Sequence, residues 1–290
     1  MKLFVFGLGY SALHFIRRER ARFARVAGTV TTPEKAAALE REGIAARVFA
    51  PDTTDPQIAD DLAEAEALLH SIPTDAAGDP VLARFGAAVA GAPRLRWIGY
   101  LSTVGVYGDH GGAWIDETTP PRPASPRARR RVAAEAAWLD LGARAGKAAQ
   151  VFRLAGIYGP GRNPLKNLAD GTAKRIVKPG QVFNRIYVDD IANVLTASIE
   201  RPCPGAIYNV ADDEPAPQQD VVAYAAALAG VPPPPEVPFA EAALSPMAVS
   251  FWSANRRVRN RRIKDELGVR LRYPTYREGL RALRAAGEGP

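Results

Sequence analysis

Gly7, Gly9 and Ala12 open the chain in GxGxxA spacing, directly after the apolar run Leu3 to Phe6. Residues of these types at this spacing bind phosphate. The two glycines allow a tight turn and let the backbone approach a pyrophosphate, the small Ala12 lets a helix pack close to a sheet, and the helix N-terminus offers N–H donors to phosphate oxygens. Gly7, Leu8, Gly9, Tyr10, Ser11 and Ala12 therefore predict a dinucleotide site. Three small residues in this order occur often by chance, so their meaning depends on a strand before and a helix after. The run Lys2 to Phe6 and the helical stretch Ser11 to Arg25 supply both.

The choice of dinucleotide is read at the end of the second strand, about 20 residues beyond the glycines. An NAD site wants a carboxylate there to accept from the ribose 2′-OH; this chain offers Thr31 and Thr32, then Pro33, Glu34 and Lys35. Hydroxyls and an ammonium suit a 2′-phosphate, and Glu34 is explained as a favourable first-turn helix charge. The strand end predicts NADP in preference to NAD.

These residues need a sheet to hold them. Strand patterns at 2–6, 25–31, 46–50, 66–72, 95–102, 149–154 and 206–210 alternate with helical patterns at 10–21, 33–42, 57–64, 80–91, 124–145, 189–200, 218–229 and 275–286. Alternation of this kind predicts an α/β fold, a Rossmann-type doubly wound parallel sheet with helices on both faces. After residue 158 the rhythm loosens around Gly159-Pro160-Gly161, Lys178-Pro179-Gly180 and Pro232 to Pro235. A smaller C-terminal substrate domain is expected there: 1–158 joined by 184–212 as the dinucleotide-binding domain, 159–183 and 213–290 as the substrate-covering one.

Composition excludes other classes. With 290 residues, 47% hydrophobic and 24% charged, the chain reads as globular, neither fibrous nor disordered. No charged n-region with an apolar h-region and no run of 18 apolar residues is present, so neither secretion nor membrane insertion is expected. Cys203 alone permits no intrachain disulfide, which fits a reducing cytoplasm. The net charge of +7 comes from 31 arginines against 7 lysines, clustered at Arg127 to Arg131 and Arg256 to Arg262. Basic clusters raise phosphate affinity, yet no stacking platform, zinc spacing or recognition helix accompanies them, and nucleic acid is not the expected partner. His14 and His70 read as structural, and no pair of histidines has metal-ligand spacing.

Five blocks then occur in order: Ser102-Thr103-Val104-Gly105-Val106-Tyr107-Gly108; Asp116-Glu117; Arg153 through Gly161; Arg185-Ile186-Tyr187-Val188-Asp189-Asp190-Ile191-Ala192; and Tyr208-Asn209-Val210. In this spacing the chain resembles the extended short-chain dehydrogenase/reductases, the NAD-dependent epimerase/dehydratase family, over nearly its whole length. It is similar to an atypical branch: where the family spells GxxGxxG, Phe6 takes the first glycine's place. The resemblance implies Ser71, at the end of the fourth strand, and Ile157 as further cofactor contacts.

The family's chemistry rests on a YxxxK pair and a hydroxyl at the end of the fifth strand, with a phenol near the substrate oxygen during hydride transfer at the nicotinamide. Thr103 matches the hydroxyl. Counting to Glu135 puts Arg131 in the lysine slot and Arg127 in the tyrosine slot. Arginine binds ribose hydroxyls or anions but does not shuttle protons at neutral pH. Tyr107 is the best remaining phenol, also explicable as packing, with Asp109, His110, Asp116 and Glu117 in the same segment. The resemblance further places nucleotide-sugar members' diphosphate arginine at Phe183 here, leaving Arg127, Arg153, Arg185 and Arg162 as substrate-side cations.

Two functions stay open. One is an NADP-dependent oxidoreductase or epimerase acting on a small carbonyl or sugar-like substrate with a non-standard proton donor. The other is a dinucleotide-binding regulatory or scaffold protein without turnover. A small molecule is the expected ligand, and a homodimer stays open as the assembly.

Overall fold

The computed structural model describes residues 1–290 apart from the side chain of Met247. The first half runs β1 (Lys2–Phe6), α1 (Tyr10–Arg18), β2 (Arg25–Val30), α2 (Pro33–Glu40), β3 (Ala45–Ala50), β4 (Thr53–Thr54), α3 (Gln57–Glu64), β5 (Ala67–His70), α4 (Pro80–Gly91), β6 (Trp97–Thr103), β7 (Trp114–Ile115) and α5 (Pro126–Ala145). The second half runs β8 (Ala148–Leu154), β9 (Gly156–Tyr158), α6 (Pro164–Ala169), β10 (Arg175–Val177), β11 (Arg185–Tyr187), α7 (Val188–Glu200), β12 (Ile207–Val210), α8 (Gln218–Ala229), β13 (Glu236–Pro238), α9 (Pro246–Trp252), β14 (Arg257–Val258), α10 (Arg261–Asp265) and α11 (Tyr276–Ala285).

Eight strands form one sheet in the order β12-β8-β6-β5-β1-β2-β3-β4. Strand β1 lies between β2 and β5 and pairs with both in parallel, as β2 does with β3 and β5 with β6; the short β4 is antiparallel to its neighbour β3. The register sets Val5 beside Gly28, and a Cβ on Gly28 would stand 2.6 Å from the Val5 carbonyl oxygen. Glycine there is what lets β2 lie close against β1 at the level of the phosphate turn.

The chain divides into two compact units, the larger comprising 1–106, 125–153 and 191–208, the smaller 107–124, 154–190 and 209–290. Residues 107–124, 154–158, 184–190 and 209–212, expected with the first domain, group with the second. Strand pairing accounts for the first of these, since β7 pairs in parallel with β14, and β9 and β11, which pair in parallel with each other, group together. Each of these strands is only two or three residues long, below the length at which periodicity is readable.

In the larger unit Phe4, Phe6, Phe49, Phe85, Tyr100 and Trp138 are buried together. Phe6 is fully buried, its ring 4.9 Å from Phe4 and 5.3 Å from Phe85. A phenylalanine thus stands where the resemblance places a first glycine because the position faces the core, and burying it contributes about 2 to 3 kcal/mol. In the smaller unit Asp190 is buried, accepting from the backbone N–H of Arg272 at 2.8 Å and of Tyr273 at 2.9 Å. Tyr273 in turn stacks on Tyr187 with ring centroids 4.0 Å apart.

No helix among the described residues is long and apolar enough to cross a membrane.

Candidate functional site

Strand β1 ends at Phe6 because Gly7 turns the chain, at a φ of +90° that side chains rarely adopt. The turn is held from two neighbouring strands. The Gly7 N–H donates to Thr29 Oγ1 at 3.0 Å, the Leu8 N–H donates to the Thr29 carbonyl at 2.8 Å, and Ser71 Oγ donates to the Gly7 carbonyl at 2.6 Å. A Cβ on Gly7 would meet Ser71 Oγ and Ile72 Cγ1 at 2.9 Å each; one on Gly9 would meet nothing within 4 Å. Gly7 is therefore needed by the fold, whereas Gly9 faces open space.

Gly9 is also the N-cap of α1, with no side chain to offer, and the first turn of that helix carries no acid. A helix N-terminus without a cap is set up for an anion. Tyr10 and Ser11 begin the helix, and Ala12, Phe15 and Ile16 are buried along its inner face.

The turn opens on a cavity of about 630 Å³ within the larger unit, whose lining includes Gly7, Leu8, Gly9, Thr31, Lys35 and Ser71. Six of the predicted cofactor residues are thus brought together. Thr32 is not in the lining; its hydroxyl caps α2 by accepting from the Lys35 N–H at 3.4 Å. Thr31, one residue earlier, is the hydroxyl on the cavity wall. Ile157 lies on β9 in the smaller unit and lines a separate cavity there.

Sequence reasoning missed Arg84 and Asp79, both on this wall. Arg84 donates from Nη1 to the Ala50 carbonyl at 3.1 Å and to Thr54 Oγ1 at 2.7 Å, and its guanidinium lies 5.4 Å over the Phe49 ring. It pins the β3–β4 turn. Asp79 Oδ1 caps α4 through the N–H groups of Val81 and Leu82, and Oδ2 accepts from Trp138 Nε1 at 2.9 Å and bonds His70 Nε2 at 2.9 Å. Burial raises the Asp79 pKa, but the bonds from His70, Trp138 and Leu82 outweigh it and hold the carboxyl below its ordinary value. His70 is accordingly structural. No spacing signal ties α4 to the glycine turn, which is why neither residue was legible.

At the end of β6, Thr103 Oγ1 accepts from the Gly105 N–H at 3.0 Å and starts a helical turn. Its neighbour Ser102 donates to Glu135 Oε1 at 2.5 Å, and Glu135 forms a buried pair with Arg153 at 2.7 Å. Arg153 is 3% exposed, so its charge answers a carboxylate inside the unit. Arg131 is buried as well, donating to Tyr100 Oη at 3.1 Å and to the Leu101 carbonyl at 2.8 Å. Burial pushes the Tyr100 phenol up to about 12. Arg127, one turn earlier on α5, is exposed.

In the smaller unit Tyr107 is fully buried, and its hydroxyl donates to Asn209 Oδ1 at 2.8 Å. The expected phenol is thus placed as an internal brace. His110 Nε2 lies 3.1 Å from the Tyr107 carbonyl, and Asp109 accepts from the Asn255 N–H at 2.7 Å. Asp116 accepts from Thr118, and Glu117 accepts from the Asn209 N–H at 2.8 Å. Burial, the largest effect, raises the Glu117 pKa against that bond. Arg185, on β11, lines the separate cavity, and Arg162 is exposed. No group of three metal-binding side chains occurs among the described residues.

Residues 87–211 match the model of the NAD dependent epimerase/dehydratase family. Protein YeeZ of Escherichia coli (strain K12) is 28% identical over 242 residues, covering 80% of this chain and 85% of YeeZ. The structure of UDP-glucuronic acid 4-epimerase from Bacillus cereus in complex with NAD superposes with a TM-score of 0.78 at 18% identity, over 98% of this chain and 96% of that one. That likeness is one of fold. A functionally unknown conserved protein from Silicibacter pomeroyi DSS is similar throughout, with a TM-score of 0.89 and 50% identity over 99% of each chain. By that relative, and by the segment that matches the NAD dependent epimerase/dehydratase model, the chain belongs to one family with the Silicibacter pomeroyi protein and has the epimerase/dehydratase fold.

Proposed function

We propose that the protein binds NADP, in preference to NAD, in the cavity of the larger unit, and uses it as an oxidoreductase or epimerase on a small carbonyl or sugar-like substrate. The observation that carries this reading is the uncapped N-terminus of α1 on the Gly7–Gly9 turn, facing a cavity whose wall also holds Thr31 and Lys35. Backbone donors and a helix dipole suit a pyrophosphate; a hydroxyl and an ammonium, with no carboxylate at the strand end, suit a 2′-phosphate. When bound, the nicotinamide supplies or takes a hydride. Thr103 is the hydroxyl that orients the substrate oxygen in this reading. Tyr107 supports the segment after β6 from inside, since its O–H is already donated to Asn209, and the proton comes from another group.

A second reading, a dinucleotide-binding regulatory protein without turnover, is favoured by one observation. Arg131, in the slot of the family's lysine, holds its guanidinium on Tyr100 and the Leu101 carbonyl, and that phenol is buried and pushed up to about 12, away from the range of a proton donor at neutral pH. A screen of aldehydes, ketones and sugar derivatives separates the two, following loss of reduced-nicotinamide absorbance on the purified protein with NADPH. Turnover that disappears in Thr103→Ala supports the enzyme. NADPH binding without turnover on any member, together with NADPH-dependent binding of another macromolecule, supports the regulator.

A further inference from the structure

A second cavity, of about 270 Å³, lies wholly within the smaller unit, between the β9–β11 pair and helices α8 and α11. It is small for a ligand site and cannot accept a nucleotide. Its one cation is Arg185. Nη1 of that guanidinium donates to the carbonyls of Phe183 and Ala216, at 3.0 Å each. Among the described residues no other hydrogen bond and no ion pair engages it, so the edge formed by Nε and Nη2 has no acceptor. That edge is the two-donor fork that matches a carboxylate.

Asp212 makes no hydrogen bond or ion pair with that guanidinium. Asp212 donates its backbone N–H to the Arg185 carbonyl at 2.7 Å, and its carboxyl accepts from the Glu214 N–H at 3.3 Å. Its Oδ2 is buried with no partner. Burial raises the Asp212 pKa well above the ordinary value, against the pull of Arg185. A guanidinium edge with no acceptor in the protein favours an anion that enters the cavity and accepts from it.

Tyr276 supplies the other polar group. It is 2% exposed, lines the same cavity, and its hydroxyl has no hydrogen-bond partner among the described residues. Tyr158 has given its hydroxyl to the Thr275 carbonyl, at 3.4 Å. Asn184 also lines the cavity, its amide committed to the Arg256 carbonyl and the Val258 N–H, and Ile157, Phe183 and Leu280 add apolar wall. One fork, one hydroxyl and apolar walls describe a small organic monoanion better than a phosphate, which needs more donors than the cavity has.

We propose that this cavity binds a small monocarboxylate with an apolar or aromatic body, its carboxylate held by the Nε and Nη2 donors of Arg185 and by the Tyr276 hydroxyl. The site does not involve the dinucleotide cavity, and the test is run on the full chain with no dinucleotide added. Calorimetry and saturation-transfer NMR are performed with benzoate and phenylacetate, with benzamide and inorganic phosphate as controls. The carboxylates bind one per chain, and benzamide and phosphate bind at least about tenfold more weakly. Tyr276→Phe removes a hydroxyl that bonds nothing in the protein; it leaves the melting temperature unchanged and weakens benzoate about fivefold. Arg185→Lys keeps the charge, loses the fork and weakens benzoate by about tenfold or more. If that variant does not fold, Tyr276→Phe decides. No carboxylate binding, equal binding of benzamide, displacement of benzoate by phosphate, or unchanged affinity in Tyr276→Phe each overturns the assignment.

Discussion

Ser71 Oγ donates to the carbonyl oxygen of Gly7 at 2.6 Å, tying the end of β5 to the turn that follows β1. The two residues are 64 apart in sequence and directly follow two adjacent parallel strands. The bond fixes the plane of the Gly7 peptide, and with it the direction of the N–H groups that follow. Removing the hydroxyl in Ser71→Ala should therefore weaken NADPH about fivefold, one hydrogen bond's worth, with a small fall in melting temperature. Calorimetry on both proteins checks the first effect and a thermal melt the second.

Cofactor choice should rest on Thr31. Its side chain is exposed on the cavity wall, while the hydroxyl of Thr32 is occupied in capping α2. A carboxylate in Thr31→Asp meets a 2′-phosphate with repulsion and a 2′-OH with a hydrogen bond, so the ratio of NADPH to NADH affinity should fall by about tenfold or more. The same change at Thr32 should move the ratio less, since aspartate there remains a good cap. Dissociation constants for both dinucleotides on the three proteins provide the comparison.

Asp79 should make the larger unit acid-sensitive. Although burial alone would raise its pKa, the bonds from His70, Trp138 and the start of α4 depress it below the unfolded value. A depressed carboxylate contributes stability that is present above the unfolded pKa and is lost as pH falls through the folded one. The wild type should thus lose stability below about pH 4, and Asp79→Asn, less stable at neutral pH, should lose less over the same interval. Urea melts across that range check the difference in slope.

Much of this architecture was legible in the sequence. The helices at 57–64, 80–91 and 218–229 fall where periodicity places them, and β1, α1 and β2 stand around Gly7 and Gly9 as the spacing requires. Strands such as β9 and β11 were not legible, because three residues carry no period and their pairing is set from elsewhere in the chain. The site divides in the same way. Gly7, Gly9, Thr31 and Lys35 are local to one βαβ unit, and spacing finds them. Arg84 and Asp79 reach the same wall from α4, and only the folded chain brings them there. Tyr107 shows the opposite limit: residue type marks a phenol in the right segment, but whether its hydroxyl faces a ligand or Asn209 depends on packing that spacing does not encode.

The central claim is that the Gly7–Gly9 turn receives a dinucleotide, and calorimetric titration of NADPH into the wild type and Gly9→Val tests it most directly. A Cβ at Gly9 meets no protein atom within 4 Å, while one at Gly7 meets Ser71 and Ile72 at a positive φ. Gly9→Val should keep the wild-type melting temperature and lose NADPH binding, whereas Gly7→Ala should lose both stability and binding. Equal NADPH affinity in the wild type and Gly9→Val, or no affinity in a folded wild type, would contradict the account.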